Sequence, residues 1–467
     1  MRTVGAIMKI FDLGKTLCRR FGADRSGHVA LIFALAAIPM LGLVGLGIDY
    51  GNSLVAQSRL NAAADQAALA GVSTSGNPTM ALPTQATIAP YFYGTAGKIP
   101  YVTITNLTVN ASTSATSLFV TVSYTATVTT TLSQVMGVHS FTISGTSSAE
   151  EQVPQYISFY LLLDVSGSMG IPSTSSEIAR LAAINPDYLN LYPGGCSLAC
   201  HFTAYKACQN KQGATTTCQG YNLSRTAGGT GTPVSFCPQP GTSSCIQLRL
   251  DAVAYAVQQL LSFAKQTATL PNQFAVGLYP FIRYMETYQA LSTNLTTVST
   301  AAGSLTTLID NGNGSSSLGS GGTHFENALP ELNSVITKVG NGSSASSPLP
   351  YVFMVTDGSQ DNQYQINNGS WSGSNSATTL DTSNCTLLKN RGIKIAVLYT
   401  PYVAIPNPTT IWNNEDGYAN ANIANIPPSL EACASPGFFF TASDPAAITN
   451  TMKTMFLAAL TAARLTK

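Results

Sequence analysis

Charge is the first thing this chain lacks. Only 9% of its 467 residues are Asp, Glu, Lys or Arg, against roughly 25% in a typical soluble domain. With 22 basic and 21 acidic residues the net charge is +1. No broad electrostatic attraction to nucleic acid follows, and nucleic acid is excluded as an expected partner. Histidine is scarce as well. Four residues leave little material for a general base or a zinc centre, which argues against an enzyme. Ser, Thr, Asn and Gly stand where charges are missing, a balance suited to an exported envelope protein. Apolar residues make up 45%, enough for a sizeable core, and the length allows about two or three domains.

What is present begins with an uncharged run. Residues 29–48, VALIFALAAIPMLGLVGLGI, contain no charge, and a helix of that length spans about 30 Å, one bilayer core. Arg2, Lys9, Lys15, Arg19, Arg20 and Arg25 precede it, against Asp12 and Asp24. The positive-inside rule then keeps leader 1–28 in the cytoplasm and exports the rest. A cleaved signal peptide and a buried core helix compete with this reading. The run is longer than a typical signal h-region, so a retained single-pass anchor is expected. Cysteine use agrees. Cys18 falls on the cytoplasmic side. Cys196, Cys200, Cys208, Cys218, Cys237, Cys245, Cys385 and Cys433 fall on the exported side, an even number that fits disulfides in an oxidising compartment.

Texture divides the exported part. Residues 49–71 stay rich in Ala, Leu and Gln without Pro, so the anchor helix is expected to continue outward until 76–84, GNPTMALPT, breaks it. Within 100–148, YVTITNLTV, SLFVTVSYTATVTT and FTISGTSSA alternate apolar and small polar residues, the pattern of half-buried strands. Residues 49–150 therefore read as one helix plus a small β module, an α+β outline like a pilin. Beyond EEQVP (150–154) apolar strands alternate with helices. Strands are expected at 157–164, 273–282, 350–357, 393–400 and 438–442. Helices are expected at 248–266, over most of 323–337, ending at 385–392, and at 445–465. Such alternation predicts an α/β domain over 151–467, a doubly wound parallel sheet of Rossmann-like type. Residues 171–247 interrupt it as a Gly-, Ser- and Thr-rich insert holding six cysteines, which disulfides can staple.

Ligands bind such sheets outside the carboxyl ends of the strands, and three elements point there. Asp164-x-Ser166-x-Ser168 follows the first strand, Gly321-Gly322-Thr323 opens a helix, and Asp357-Gly358 follows the strand YVFMVTD. Two carboxylates and three hydroxyls suit a hard cation with oxygen ligands, Mg²⁺ first and Mn²⁺ or Ca²⁺ next. Hydroxyls neutralise no charge, so a cation held this way keeps excess positive charge and an open position for an acidic side chain of a partner. Capped turns without a metal are the plainer reading. Ser166 near His324 also invites a metal-assisted hydrolase reading, but no G-x-S-x-G surrounds that serine. The Cys196-x-x-x-Cys200-His201 stretch is one residue too long for a haem-attachment motif, so disulfides are expected there. Cys385 and Cys433 sit where a fourth bridge can form.

Residues 155–467 resemble a von Willebrand factor A domain. That family's metal-ion-dependent adhesion site reads DxSxS, then T, then D, and Asp164, Ser166, Ser168, Thr323 and Asp357 match it. RSGHVALIFALAAIPMLGLVGLGIDYG, followed by LNAAADQAALAG, resembles the N-terminal segment of TadE/TadG-like Flp pilus-assembly proteins. LEACASPGFFFTA, the final helix and GGCSLACH are also similar to TadG-like sequences. Prepilin substrates carry a Glu five residues into the mature helix, whereas Gly27 here precedes HVALI, so permanent anchoring is expected. The resemblance implies a bacterial inner-membrane component of the Tad/Flp pilus machinery, binding protein partners in the envelope through a metal-dependent site. A surface adhesin for host or matrix ligands is the alternative.

Overall fold

The structure, a computed structural model, describes residues 28–73, 82–113, 117–152, 154–184, 207–209, 215–217, 236–310, 314–366, 370–410 and 413–465. Expectations for the leader up to residue 27, for Cys18, Cys196, Cys200 and Cys218, and for His201 lie outside them. The chain forms two compact units, Met1–Glu151 and Gln152–Lys467.

In the first unit, helix α1 (His28–Ser73) runs unbroken from the apolar run into the Ala-rich segment. Its first half is bare: Leu31, Phe33, Leu35 and Leu41 are each more than 60% exposed. That excludes the buried-core-helix reading, and the helix is long and apolar enough to cross a membrane. Its second half packs. Leu60, Ala63, Ala64, Ala67 and Ala68 are buried, a helical stripe of mostly small residues that lets a sheet approach closely. The sheet has the order β1 (Val102–Thr113), β2 (Ser117–Thr129), β3 (Ser140–Gln152). β2 pairs antiparallel with β1 and buries every second residue from Leu118 to Val128, because a strand shows alternate side chains to one face. Tyr124 on that face donates to Asn61 Oδ1 of α1 at 2.8 Å. A further helix, α2 (Gln85–Ala96), buries Ile88 and Phe92. Nothing in the composition of 85–96 announces it, since Pro90 and Gly94 both weaken helical propensity.

The second unit is built on a six-stranded sheet. Its strands are β4 (Ile157–Asp164), β5 (Phe274–Phe281), β6 (Gln289–Ser292), β7 (Leu349–Thr356), β8 (Lys394–Tyr399) and β9 (Phe439–Thr441). Their spatial order is β9-β8-β7-β4-β5-β6. β4, β5, β7, β8 and β9 pair in parallel. The expected all-parallel sheet needs one correction, since the edge strand β6 runs antiparallel to β5. It follows β5 after a short excursion, and a connection that short can return only antiparallel.

Both faces of the sheet are covered, which is why β4 is buried along its whole length. Phe159, Leu161 and Leu163 face α4 (Arg249–Thr267), α5 (Leu295–Ala302) and α10 (Pro445–Leu465). Tyr160 and Leu162 face α6 (Phe325–Val335), α7 (Thr382–Asn390) and α9 (Ile426–Cys433), which follows the short α8 (Glu415–Asn422). The insert is more ordered at its start than its composition suggests. Helix α3 (Ser175–Ile184) lies in it, and Pro172 bridges Leu248 across its base. Buried Glu177 explains this: its carboxylate accepts the Gln247 N–H at 2.8 Å and the Gly241 N–H at 2.9 Å. Helix α6 begins at Phe325, two residues later than the expected start at 323, which leaves Thr323 in the turn ahead of it.

Two disulfides are described, Cys237–Cys245 inside the insert and Cys385–Cys433 between α7 and α9. The second closes a loop of 48 residues. Replacing both its cysteines with serine is expected to destabilise the domain by about 3–4 kcal/mol, mostly by freeing the unfolded chain. Urea unfolding checks this, and a loss below about 1 kcal/mol contradicts the loop-closure account.

Candidate metal centre

The three sequence elements meet at the carboxyl edge of the sheet. Asp164 ends β4 and is 1% exposed. Its Oδ1 accepts the Ser166 N–H at 2.9 Å, folding the DxSxS loop back over the strand end. Ser166 and Ser168 then bring their hydroxyls to 3.2 Å of one another. Thr356, the last residue of β7, donates its hydroxyl to Asp164 Oδ2 at 2.6 Å and accepts the Gly358 N–H at 2.9 Å. That pair of bonds joins the first element to the third and places buried Asp357 beside Asp164. Gly358 turns there with φ +75°, and a Cβ would stand 2.6 Å from Leu430 Cδ1, so the position requires glycine.

The second element is held by Asp310. Its N–H donates to Val165 O at 3.0 Å. Its carboxylate accepts the Ser320 hydroxyl at 2.8 Å and the Gly321 N–H at 2.9 Å. The loop carrying Thr323 is thereby tied to the residue that follows Asp164. From the other side, the His324 N–H donates to Ile282 O, just past the end of β5. Gly321 sits at φ +106°, and a Cβ on Gly322 would collide with Asp361. The double glycine is thus a packing requirement of this turn. Thr323 is 3% exposed.

The electrostatics are unusual for two aspartates. Burial, then the Asp357 charge, push the Asp164 carboxyl up to about 7. Arg249, at the first turn of α4, places its Nη1 3.6 Å from Asp357 Oδ2. At that distance the pair is ionic without a hydrogen bond. Arg249 Nη2 donates to Pro401 O at 2.9 Å. Burial lowers the affinity of its guanidinium for the proton more than Asp357 raises it. The same burial, with Asp357 next, pushes the Tyr402 hydroxyl up. Burial and the Asp357 charge both disfavour ionised Asp164, and a cation between the two carboxylates would favour it.

A divalent cation fits these residues on two observations. The first is the raised Asp164 carboxyl, which a nearby cation would bring down. The second is the hydroxyl spacing, because adjacent oxygens around an octahedral Mg²⁺ stand about 3 Å apart and Ser166 and Ser168 stand at 3.2 Å. Among the described residues no group of three or more His, Cys, Asp or Glu is placed to hold a metal, so a cation here would depend on the hydroxyls. His324 is occupied elsewhere. Its Nδ1 lies 2.7 Å from Glu326 Oε1 and its Nε2 lies 3.2 Å from Gln363 O.

Sequence reading missed Thr356, Arg249 and Asp310. Arg249 does leave a trace, since a cation in the first turn of a helix opposes the helix dipole and asks for a tertiary reason. Asp310 leaves none.

The doubly wound sheet, parallel but for one edge strand, gathers its DxSxS, Thr and Asp loops at its carboxyl edge, the arrangement that the resemblance to von Willebrand factor A domains leads one to expect. Ahead of it, residues 27–74 match the family of putative Flp pilus-assembly TadE/G-like proteins. No curated protein matches the chain. Among solved structures, the chain is similar to the pilus adhesin SpaC from Lactobacillus rhamnosus GG in its open conformation, at 12% identity and TM-score 0.32. That match covers 77% of this chain and 34% of SpaC, so the chain spans about a third of the adhesin's length. It is also similar to the PilB minor pilin from Streptococcus sanguinis, at 12% identity and TM-score 0.33, over 78% of this chain and 80% of that one. The von Willebrand domain of the type V pili tip protein Mfa5 from Porphyromonas gingivalis matches at 11% identity and TM-score 0.31, over 66% and 97% of the two chains.

Proposed function

We propose that this protein is a single-pass component of a Flp/Tad pilus assembly machine in the bacterial inner membrane, with its N-terminus cytoplasmic and the rest exported. Its A-type domain holds Mg²⁺, or Mn²⁺ or Ca²⁺, through Asp164, Ser166, Ser168, Thr323 and Asp357. The bound cation supplies uncompensated positive charge to an acidic side chain of an envelope protein partner. The pilus assignment is supported by the TadE/G-like segment. The binding assignment is carried by the Asp164–Asp357 pair, buried together beside two hydroxyls 3.2 Å apart. Asp310 and Thr356 position the three loops, and Arg249 tempers the repulsion of the acids. A binding role is favoured over catalysis by His324, whose two ring nitrogens face Glu326 and Gln363 and not Ser166.

The test is capture of envelope proteins by the detergent-solubilised protein, with magnesium and with EDTA. A partner is expected in magnesium, absent in EDTA, and absent with Asp164→Ala or Ser166→Ala. Equal recovery of the same partner under all four conditions refutes the metal-dependent reading.

A further inference from the structure

The β2–β3 loop of the first unit has an odd surface. Residues 130–138, TTLSQVMGV, carry no charge and form one 3₁₀ turn at Ser133–Met136. Its large side chains face outward: Leu132 is 46% exposed, Val135 74% and Met136 42%. A loop tip in water is ordinarily polar, and an apolar cluster there marks a contact surface.

This loop lies along α1. A Cβ on Gly45 would stand 2.8 Å from Leu132 Cβ, and one on Gly42 would collide with Met136 Sδ. The two glycines form the notch in which the loop rests. Asp49 clamps it. Asp49 Oδ2 accepts the N–H groups of Thr131 (3.2 Å), Leu132 (2.9 Å) and Ser133 (2.7 Å) and the Ser133 hydroxyl (2.8 Å). Asp49 Oδ1 accepts the Thr131 hydroxyl at 3.1 Å. The N–H groups of Val135, Gly137 and Val138 donate within the loop, to Leu132, Gln134 and Ser133.

Depth decides what covers the apolar tip. Gly42 lies seven residues before Asp49, so the loop reaches about 10 Å back along the apolar helix. The apolar stretch before it, residues 29–41, spans about 20 Å, short of the roughly 30 Å of a bilayer's hydrocarbon core. The hydrocarbon must therefore rise around the loop. Backbone donors are tolerated at such depth only when satisfied by protein, and Asp49 and the turn satisfy those of the loop named above.

We infer that the β2–β3 loop is a lipid-inserting wedge, with Leu132, Val135 and Met136 entering the acyl region beside α1. The module is then seated in the outer leaflet of its membrane and not held above it on a stalk. This rests on α1 being the membrane anchor. The test uses full-length protein in nanodiscs of phosphatidylcholine with and without brominated acyl chains, reading tryptophan emission by difference from the parent protein. Leu35→Trp reports the anchor, Val135→Trp the loop, and Asn110→Trp, on an exposed position of β1, the aqueous control. Quenching of about twofold or more at positions 35 and 135, with none at 110, is expected for buried interfacial side chains. Quenching at 35 with position 135 behaving like 110 overturns the wedge and leaves the anchor standing. Quenching at neither overturns both.

Discussion

The metal-free protein is expected to melt at a lower temperature at pH 8 than at pH 5, and magnesium to raise the melting temperature at pH 8 but not at pH 5. Three carboxyls set the sign. Burial first, with neighbouring acids adding to it, pushes Asp164 and Glu415 up to about 7 and Asp361 up to about 6. The folded state therefore keeps protons that the unfolded chain has released, and stability falls as pH rises across that interval. The penalty is absent below about 4, the ordinary carboxylate value, and complete above about 7. The proposed cation would bind the ionised carboxylates, so its stabilising effect would grow over the same window, with apparent affinity about 100-fold weaker at pH 5 than above pH 7 for one released proton. Asp164→Asn separates the two effects. Its neutral amide still accepts the Ser166 N–H, so metal-free stability at pH 8 should rise by on the order of 2 kcal/mol while the magnesium response disappears. Thermal unfolding from pH 5 to 8, with and without magnesium, checks all of this. A metal-free melting temperature that climbs with pH contradicts it.

Arg249→Met is expected to cost about 3–5 kcal/mol without metal, the usual result of removing one partner from a buried ion pair. Methionine keeps most of the apolar stem, so lost packing contributes little. What changes is the charge 3.6 Å from Asp357, which leaves the two aspartates to repel each other in a dry site. Magnesium should recover a substantial part of the loss, because it supplies positive charge to the same carboxylates. Urea unfolding with and without magnesium measures both quantities. An equal loss in both conditions shows that Arg249 serves the packing of α4 and not the charge of the site.

Much of this was open to a reader of the sequence because it is written in neighbouring residues. The apolar run and its Ala-rich continuation became the single helix α1. The alternation in SLFVTVSYTATVTT became β2, with one face buried from Leu118 to Val128. The five parallel strands of the second domain were each placed within a residue or two, since continuous apolar stretches have few other uses. Edge strand β6 escaped because four residues, QALS, three half-buried and one exposed, carry no periodicity to detect. Helix α2 escaped because its Pro and Gly argue locally against a helix that packing imposes.

The site divides in the same way. DxSxS, Thr323 and Asp357-Gly358 could be placed at one sheet edge from strand order alone, because side chains after parallel strands must emerge on one side. The sequence by itself therefore determined the long apolar helix, the sheet and the oxygen-rich character of its carboxyl edge. The tertiary structure alone decided how that edge is held. It brought Asp310 to Val165 and Gly321, Thr356 to Asp164, and Arg249 to Asp357, and in the other unit it locked Asp49 onto the β2–β3 loop. Each of these joins residues that are distant in sequence. Local propensity and periodicity encode which face of an element is buried, whereas the partner on that face is set only when the elements pack.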